Sequence, residues 1–305
     1  MSGPFAGLLV PVLTPFDAEL APDAKRLTDL CERLLSFGAD GLAVFGTTSE
    51  ANSMNAAERK SLLAELRRNG IAGDKLMPGI GSCSISETAD LLRHADDHDA
   101  AGALLLPPFF YKDAAATDDG LFDFFAAVMQ RTAGVSTQIY LYHIPPIAHV
   151  GWSIPLVGRL LEAFPDRIAG LKDSSGDWQN TKALIETYPE LDVFPGSDEF
   201  LLDGLRAGGV GCITATGNIN PVGIRAIYDH WQSDESDSLQ KQATEVRLAV
   251  QSFGNPITVM KSYLARKTDD ANWARVRPPL TSSAAESAAR LDAQLNQLGF
   301  QFELY

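Results

Sequence analysis

Ile168-Ala169-Gly170-Leu171-Lys172-Asp173-Ser174-Ser175-Gly176-Asp177 is the stretch on which the fold turns. An apolar run leads to one lysine, and small polar residues follow at once. That pattern reads as a buried strand whose last residue projects an amine from the strand end into a polar pocket. Burial strips an amine of hydration and favours its uncharged, nucleophilic form, which attacks carbonyls to give imines. By itself the stretch is equally compatible with a lysine that ends a strand and reaches solvent.

Outward from this point, short apolar runs alternate with longer amphipathic ones. The runs predict strands over 7–13, 40–45, 76–80, 102–106, 138–143, 167–172, 191–195 and 210–214. The intervening periodicity predicts helices over 23–37, 56–68, 86–98, 118–131, 154–164, 178–188 and 198–207. Asn55 ahead of Ala56, and Ser84 or Ser86 with Glu87 in the first turn, supply helix starts. Strict strand–helix alternation implies parallel strands, and eight alternations imply a (β/α)₈ barrel. A doubly wound open sheet is the competing topology. It lacks support, because Gly79-Ile80-Gly81 misses the third glycine of a dinucleotide loop.

Beyond about residue 221 the strand-like runs stop, and helical periodicity continues over 239–252, 257–267 and 283–298. The expected organisation is a catalytic barrel over residues 1–225 and a helical bundle over 226–305, whose first helix completes the barrel.

Composition narrows the function. The 305 residues carry a formal charge of −14, which disfavours nucleic acid as a partner, since phosphate binding needs clustered Lys and Arg. The apolar start at Gly7–Leu13 is too short to span a bilayer and has no cationic lead, so a cytoplasmic protein is expected. Three separated cysteines, Cys31, Cys83 and Cys212, fit a reducing compartment and give no cysteine-based zinc site.

In such a barrel the chemistry sits at the C-terminal strand ends. Gly46-Thr47-Thr48-Ser49-Glu50 follows the second strand and offers backbone N–H groups and hydroxyls to a carboxylate. Tyr142 ends the fifth strand and Lys172 the sixth. Gly196-Ser197-Asp198-Glu199 follows the seventh, and the eighth carries Gly211-Cys212-Ile213-Thr214. An amine, a phenol and a carboxylate cradle suit imine chemistry on a 2-oxo acid, with the iminium as electron sink.

Gly46-Thr47-Thr48-x-Glu50, Tyr142-x-x-Pro145, Gly170-Leu171-Lys172-Asp173-Ser174-Ser175-Gly176-Asp177 and Gly196-x-Asp198 together resemble the dihydrodipicolinate synthase / N-acetylneuraminate lyase superfamily. Asn255-Pro256-Ile257 and Arg277-Pro278-Pro279-Leu280 extend the resemblance nearly to the C-terminus. It implies a barrel with a helical extension, a homotetramer or dimer, and catalysis without metal or organic cofactor. It further implies Lys172 as the Schiff-base lysine, Tyr142 as the proton relay, and Thr47 as the hydroxyl linked to it. Thr48 would hold the pyruvate carboxylate, with backbone N–H help from both threonines; Gly46 lies in the same substrate-binding turn, Ile213 would pack on pyruvate, and Gly196 would admit substrate to the backbone.

The departures bear on the second substrate. The arginine that grips the aldehyde's carboxylate in the synthases is matched by Ile147, which cannot do so. The relay tyrosine that those synthases take from a neighbouring subunit is matched by Phe110. Ser49 and His143 also depart from the usual pattern. Asp198 and Glu199 resemble the lyase branch, where an acidic pair binds sugar hydroxyls, although acids at a helix start are favoured anyway. The expected activity is a class I aldolase acting on a 2-oxo-3-deoxy sugar acid, with pyruvate and an aldehyde as partners. A dihydrodipicolinate synthase with an altered aldehyde site, a sugar-acid dehydratase and a non-catalytic sensor are the alternatives. His94 and His98 have metal-compatible spacing on an acidic helix face. His149 lies near the barrel mouth, Trp152 and Trp178 read as packing residues, and 233–237 reads as a solvated acidic loop.

Overall fold

The computed structural model describes residues 3–112 and 115–304. Among them, seven parallel strands form two hydrogen-bonded sheets: β1 (Gly7–Val10), β2 (Gly41–Leu42) and β7 (Gly211–Ile213) in the order β2-β1-β7, and β3 (Gly102–Leu105), β4 (Gln138–His143), β5 (Ile168–Asp173) and β6 (Asp192–Pro195) in sequence order. The predicted stave at 76–80 joins them. Leu76 bridges Leu42 and Gly79 bridges Leu104, with Gly79 N–H donating to Val44 O at 2.7 Å and Leu104 N–H to Pro78 O at 2.9 Å. Pro78 has no N–H to give, so this stave makes isolated bridges where the sequence predicts a strand. The other seam closes through Val210 N–H to Val193 O at 3.2 Å. The result is a (β/α)₈ barrel.

Its interior is filled by Leu9, Ala43, Met77, Leu104, Tyr140, Phe194 and Ile213, with Phe5 beneath them. Alternate residues such as Leu105, Ile139, Leu141, Leu171 and Val193 face outward onto the helices, as expected for strands buried on both faces. The helical layer comprises α1 (Ala24–Ser36), α2 (Ala56–Arg68), α3 (Ile85–Asp96), α4 (Asp118–Arg131), the short α5 (Pro145–Ala148), α6 (Ile154–Ala163), α7 (Trp178–Thr187), α8 (Leu201–Ala207) and α9 (Pro221–His230). Caps start these helices where the sequence places them. Asn55 and Glu58 form a reciprocal capping box, and Ser84 accepts from Glu87 N–H at 3.3 Å.

Three further helices, α10 (Ser236–Gln251), α11 (Pro256–Thr268) and α12 (Ala285–Gln297), pack beside the barrel. Val246, Val250, Met260, Leu291 and Leu295 share one apolar cluster with Leu27, Leu30 and Leu34 of α1. Helix α9 runs continuously across residues 225 and 226, so a division at that point falls inside a helix. Among the described residues no helix is long and apolar enough to cross a membrane.

The pairing of β4 with β5 does most to position the site. Register sets Tyr142 beside Lys172 and His143 beside Asp173, with an irregularity at Ile139/Tyr140. Gly170 permits this: a Cβ there would lie 2.6 Å from the Tyr140 ring and collide with the Asp192 carbonyl. Gly170→Ala is therefore expected to destabilise the fold by about 1–3 kcal/mol, the usual range for overpacking. Urea denaturation checks this, and an unchanged midpoint would remove Gly170 as the spacer that sets the strand pair.

Candidate active site

Lys172 is the penultimate residue of β5, inside the barrel mouth. Its residue is 4 % exposed, and Nζ stands 4.3 Å from the centroid of the Tyr142 ring. Among the described residues no carboxylate forms an ion pair with it. Tyr142, also buried, donates its hydroxyl to Thr47 Oγ1 at 3.4 Å, a long hydrogen bond. The three residues come from two strand ends and a turn, far apart in sequence.

The turn carrying Thr47 and Thr48 is bracketed by two non-glycine residues in the left-handed region, Phe45 (φ 60°) and Glu50 (φ 57°). Such residues persist only where the surroundings hold them. Here the Glu50 carboxylate, fully buried, accepts from Lys261 Nζ at 2.6 Å and from Arg277 N–H at 3.0 Å. Lys261 also donates to Thr14 O at 2.8 Å, and Ser49 Oγ to Val12 O at 2.5 Å. Ser49, Glu50 and Ala51 N–H groups close the turn onto Gly46 O and Thr47 O. The N–H groups of Thr47 and Thr48 donate to nothing among the described residues.

Asp173 fixes the other side. Its carboxylate accepts from Ser175 N–H (2.9 Å), Asn180 Nδ2 (3.0 Å) and Thr181 Oγ1 (2.7 Å). Gly196 N–H donates to Asp173 O at 2.6 Å, and a Cβ on Gly196 would collide with Ser174 Oγ. His143 accepts from Trp152 N–H at Nδ1 (3.0 Å), and burial holds its pKa below the usual 6.5 against the opposing pull of Asp173.

A cavity of about 260 Å³ opens above these groups. Thr47, Thr48, Tyr142, Lys172 and Gly196 line its floor. Ile144, Ile147, Phe200 and Ile257 line its upper wall together with Arg247. Gly46, Asp198, Glu199 and Ile213 are not on the wall. Ile213 is wholly buried in the barrel interior, and Gly46 serves the turn through its carbonyl. The acidic pair is turned away from the position expected for a ligand contact. Asp198 is fully buried and accepts from Thr214 Oγ1 at 2.6 Å and Arg247 Nη1 at 3.0 Å, while Glu199 accepts from Arg247 Nε at 2.9 Å. Arg247, on α10, is the wall residue that sequence reasoning missed. A lone arginine in an amphipathic helix looks like any surface cation, and no local spacing marks it.

The remaining candidates lie elsewhere. His94 Nε2 and His98 Nδ1 bond to the carbonyls of Lys60 and His94, each at 2.9 Å. His149 is exposed and Trp152 packs in the core against Phe125. Phe110 and Tyr111 stand on the surface, 78 % and 53 % exposed, off the cavity wall.

A lysine and a tyrosine at adjacent strand ends of a (β/α)₈ barrel, beside a turn with two N–H groups unbonded among the described residues, point to a class of small-molecule enzyme. The dihydrodipicolinate synthetase family model matches residues 4–298, and the chain belongs to that family. It is accordingly a lyase. An uncharacterized DapA-like lyase of Chloroflexus aurantiacus is 31 % identical over 96 % of both chains. A probable 2-dehydro-3-deoxy-D-pentonate aldolase of Escherichia coli is 26 % identical, over 97 % of this chain and 98 % of that one. The crystal structure of dihydrodipicolinate synthase from Agrobacterium tumefaciens superposes with a TM-score of 0.89 at 30 % identity, covering 96 % of this chain and 99 % of that one.

Two measurements probe these contacts. Lys261→Ala would strand a buried carboxylate and is expected to lose roughly 3–5 kcal/mol in urea unfolding, with Lys261→Met plus Glu50→Leu recovering most of it. A loss under about 1 kcal/mol would show that the pair does not hold the turn. The second concerns pH. The folded pKa of His143 lies below its unfolded value, so on acidification the unfolded chain gains a proton that the native state refuses. Stability should thus fall as pH drops from about 6.5 toward the folded pKa, and His143→Asn should flatten that slope in melting curves.

Proposed function

We propose that this enzyme is a class I aldolase that cleaves, or forms, a 2-oxo-3-deoxy sugar acid through an imine on Lys172, with pyruvate as one product. The observation that carries the proposal is the buried Lys172 amine beside Tyr142, itself bonded to Thr47, next to the unused Thr47 and Thr48 N–H groups.

The Lys172 amine adds to the C2 carbonyl of the 2-oxo acid, and loss of water leaves the iminium. Thr47 and Thr48 N–H groups, with the Thr48 hydroxyl, hold the neighbouring carboxylate. The iminium draws the electron pair of the C3–C4 bond, giving an enamine, while the C4 hydroxyl proton passes to Tyr142 and Thr47. The aldehyde departs, the enamine takes a proton at C3, and water hydrolyses the imine to pyruvate and free Lys172. Atoms and electrons balance with no further reactant.

One feature favours this over condensation with aspartate semialdehyde. Ile147 lies on the cavity wall, where a hydrocarbon gives no grip on a carboxylate.

Incubation with pyruvate and borohydride is expected to add a reduced pyruvyl group to Lys172, seen by peptide mass spectrometry. Lys172→Ala should abolish turnover, and Tyr142→Phe should lower kcat about a hundredfold or more. An unmodified Lys172 in folded protein would sink the proposal. A panel of 2-oxo-3-deoxy acids assayed for pyruvate separates aldolase from dehydratase, since dehydration leaves the carbon chain intact.

A further inference from the structure

Among the described residues, Arg247 and Lys172 are the two cations on the cavity wall, and they sit in opposite electrostatic settings. Lys172 has no carboxylate partner among the described residues, whereas Arg247 has two. Arg247 Nε meets Glu199 Oε2 at 2.9 Å and Nη1 meets Asp198 Oδ1 at 3.0 Å, with Thr214 and Thr216 hydroxyls at 3.3 and 3.4 Å from Nη1. With the Gln251 amide oxygen turned toward it, Nε and Nη2 gain a further acceptor at 3.2 and 3.3 Å. The guanidinium is nearly saturated.

Burial sets the charge balance. The Asp198 side chain is fully buried and that of Arg247 only 17 % exposed, so solvent screens this cluster weakly. One positive charge on the wall is paired with two negative ones set back from it, so Arg247 and its two partners together carry one net negative charge. A free arginine would clamp an incoming carboxylate with two parallel N–H bonds. Here that fork already holds carboxylates, so a second anion from the ligand would have to compete with Asp198 and Glu199 for it. Like charges brought together in such a setting oppose binding. The neighbouring Ile144, Ile147, Phe200 and Ile257 supply no compensating donor. An uncharged hydroxyl meets no such barrier. It can join the network at Ser197 on the wall, whose Oγ lies 3.0 Å from Glu199 Oε2.

We propose that Arg247, neutralised by Asp198 and Glu199, makes the far end of this cavity a filter that accepts uncharged, hydroxyl-bearing tails and rejects a second carboxylate. The inference rests on the reading of the cavity as a 2-oxo acid site. It assigns specificity to a side chain from outside the barrel strands.

Two acids of equal length test it: 2-dehydro-3-deoxypentonate, which ends in a hydroxymethyl group, and 4-hydroxy-2-oxoglutarate, which ends in a carboxylate. Titration calorimetry on full-length Lys172→Ala protein reads binding without imine chemistry. The pentonate is expected to bind at least about tenfold more tightly, a difference of about 1.4 kcal/mol. Glu199→Gln in the same background keeps an acceptor for Arg247 but removes one negative charge, and should narrow the ratio about tenfold. Tighter or equal binding of the dicarboxylate, binding of neither acid, or a ratio unmoved by Glu199→Gln in folded protein would each overturn the inference. Failed borohydride trapping with the binding preference intact would overturn only the aldolase reading. Successful trapping without the preference would overturn only the filter.

Discussion

The Glu50 carboxylate is the point through which the rest of the site is braced. It is buried, it sits in a left-handed backbone conformation, and it is held from two directions by the C-terminal region. Lys261 reaches it from α11, and Arg277 gives it a backbone N–H while its guanidinium clamps Glu58 at the start of α2. The Arg277 pairing keeps the Glu58 carboxyl below its usual pKa. The threonine turn is thus pinned between barrel and helices. A buried ion pair of this kind is weak evidence for net stability, because desolvation offsets the attraction. Its value here is geometric: it holds a strained turn with two N–H groups unspent.

The same constraint explains why the barrel and the last three helices act as one body. Their apolar residues form a single cluster, and α10 and α11 reach back over the barrel mouth. The cavity therefore has two halves of different origin. Its floor is made by strand ends and the turn after β2, where parallel register places side chains side by side. Its upper wall is made by α5, the turn after β6 and the C-terminal helices. Under the proposed function, the floor would handle the group common to 2-oxo acids and the wall would face the other end of the acid.

The strand–helix alternation was legible because parallel strands buried on both faces produce continuous apolar runs, and caps such as Asn55 and Ser84 mark helix starts. The stave at 76–80 was legible in position but not in its bonding, because Pro78 breaks the ladder. Lys172, Tyr142, Thr47, Thr48 and Gly196, read at or just after strand ends and given roles by resemblance, line the cavity. Asp198 and Glu199 show the limit of that reasoning. Acids after a strand read the same whether they face a ligand or an arginine, and their partner lies 48 or 49 residues away.

By itself, the amino-acid sequence determined the barrel, the order of its staves and the lysine, tyrosine and threonines at their ends. Those features are local, set by periodicity of 2 or 3.6 and by chain direction. Only the tertiary structure decided that Tyr142 stands against Lys172, that Glu50 is clamped by Lys261, and that Arg247 pairs with Asp198 and Glu199. Each of these depends on which residues meet across a seam or between distant helices. Such meetings arise from packing of the whole chain, which no short stretch of sequence records.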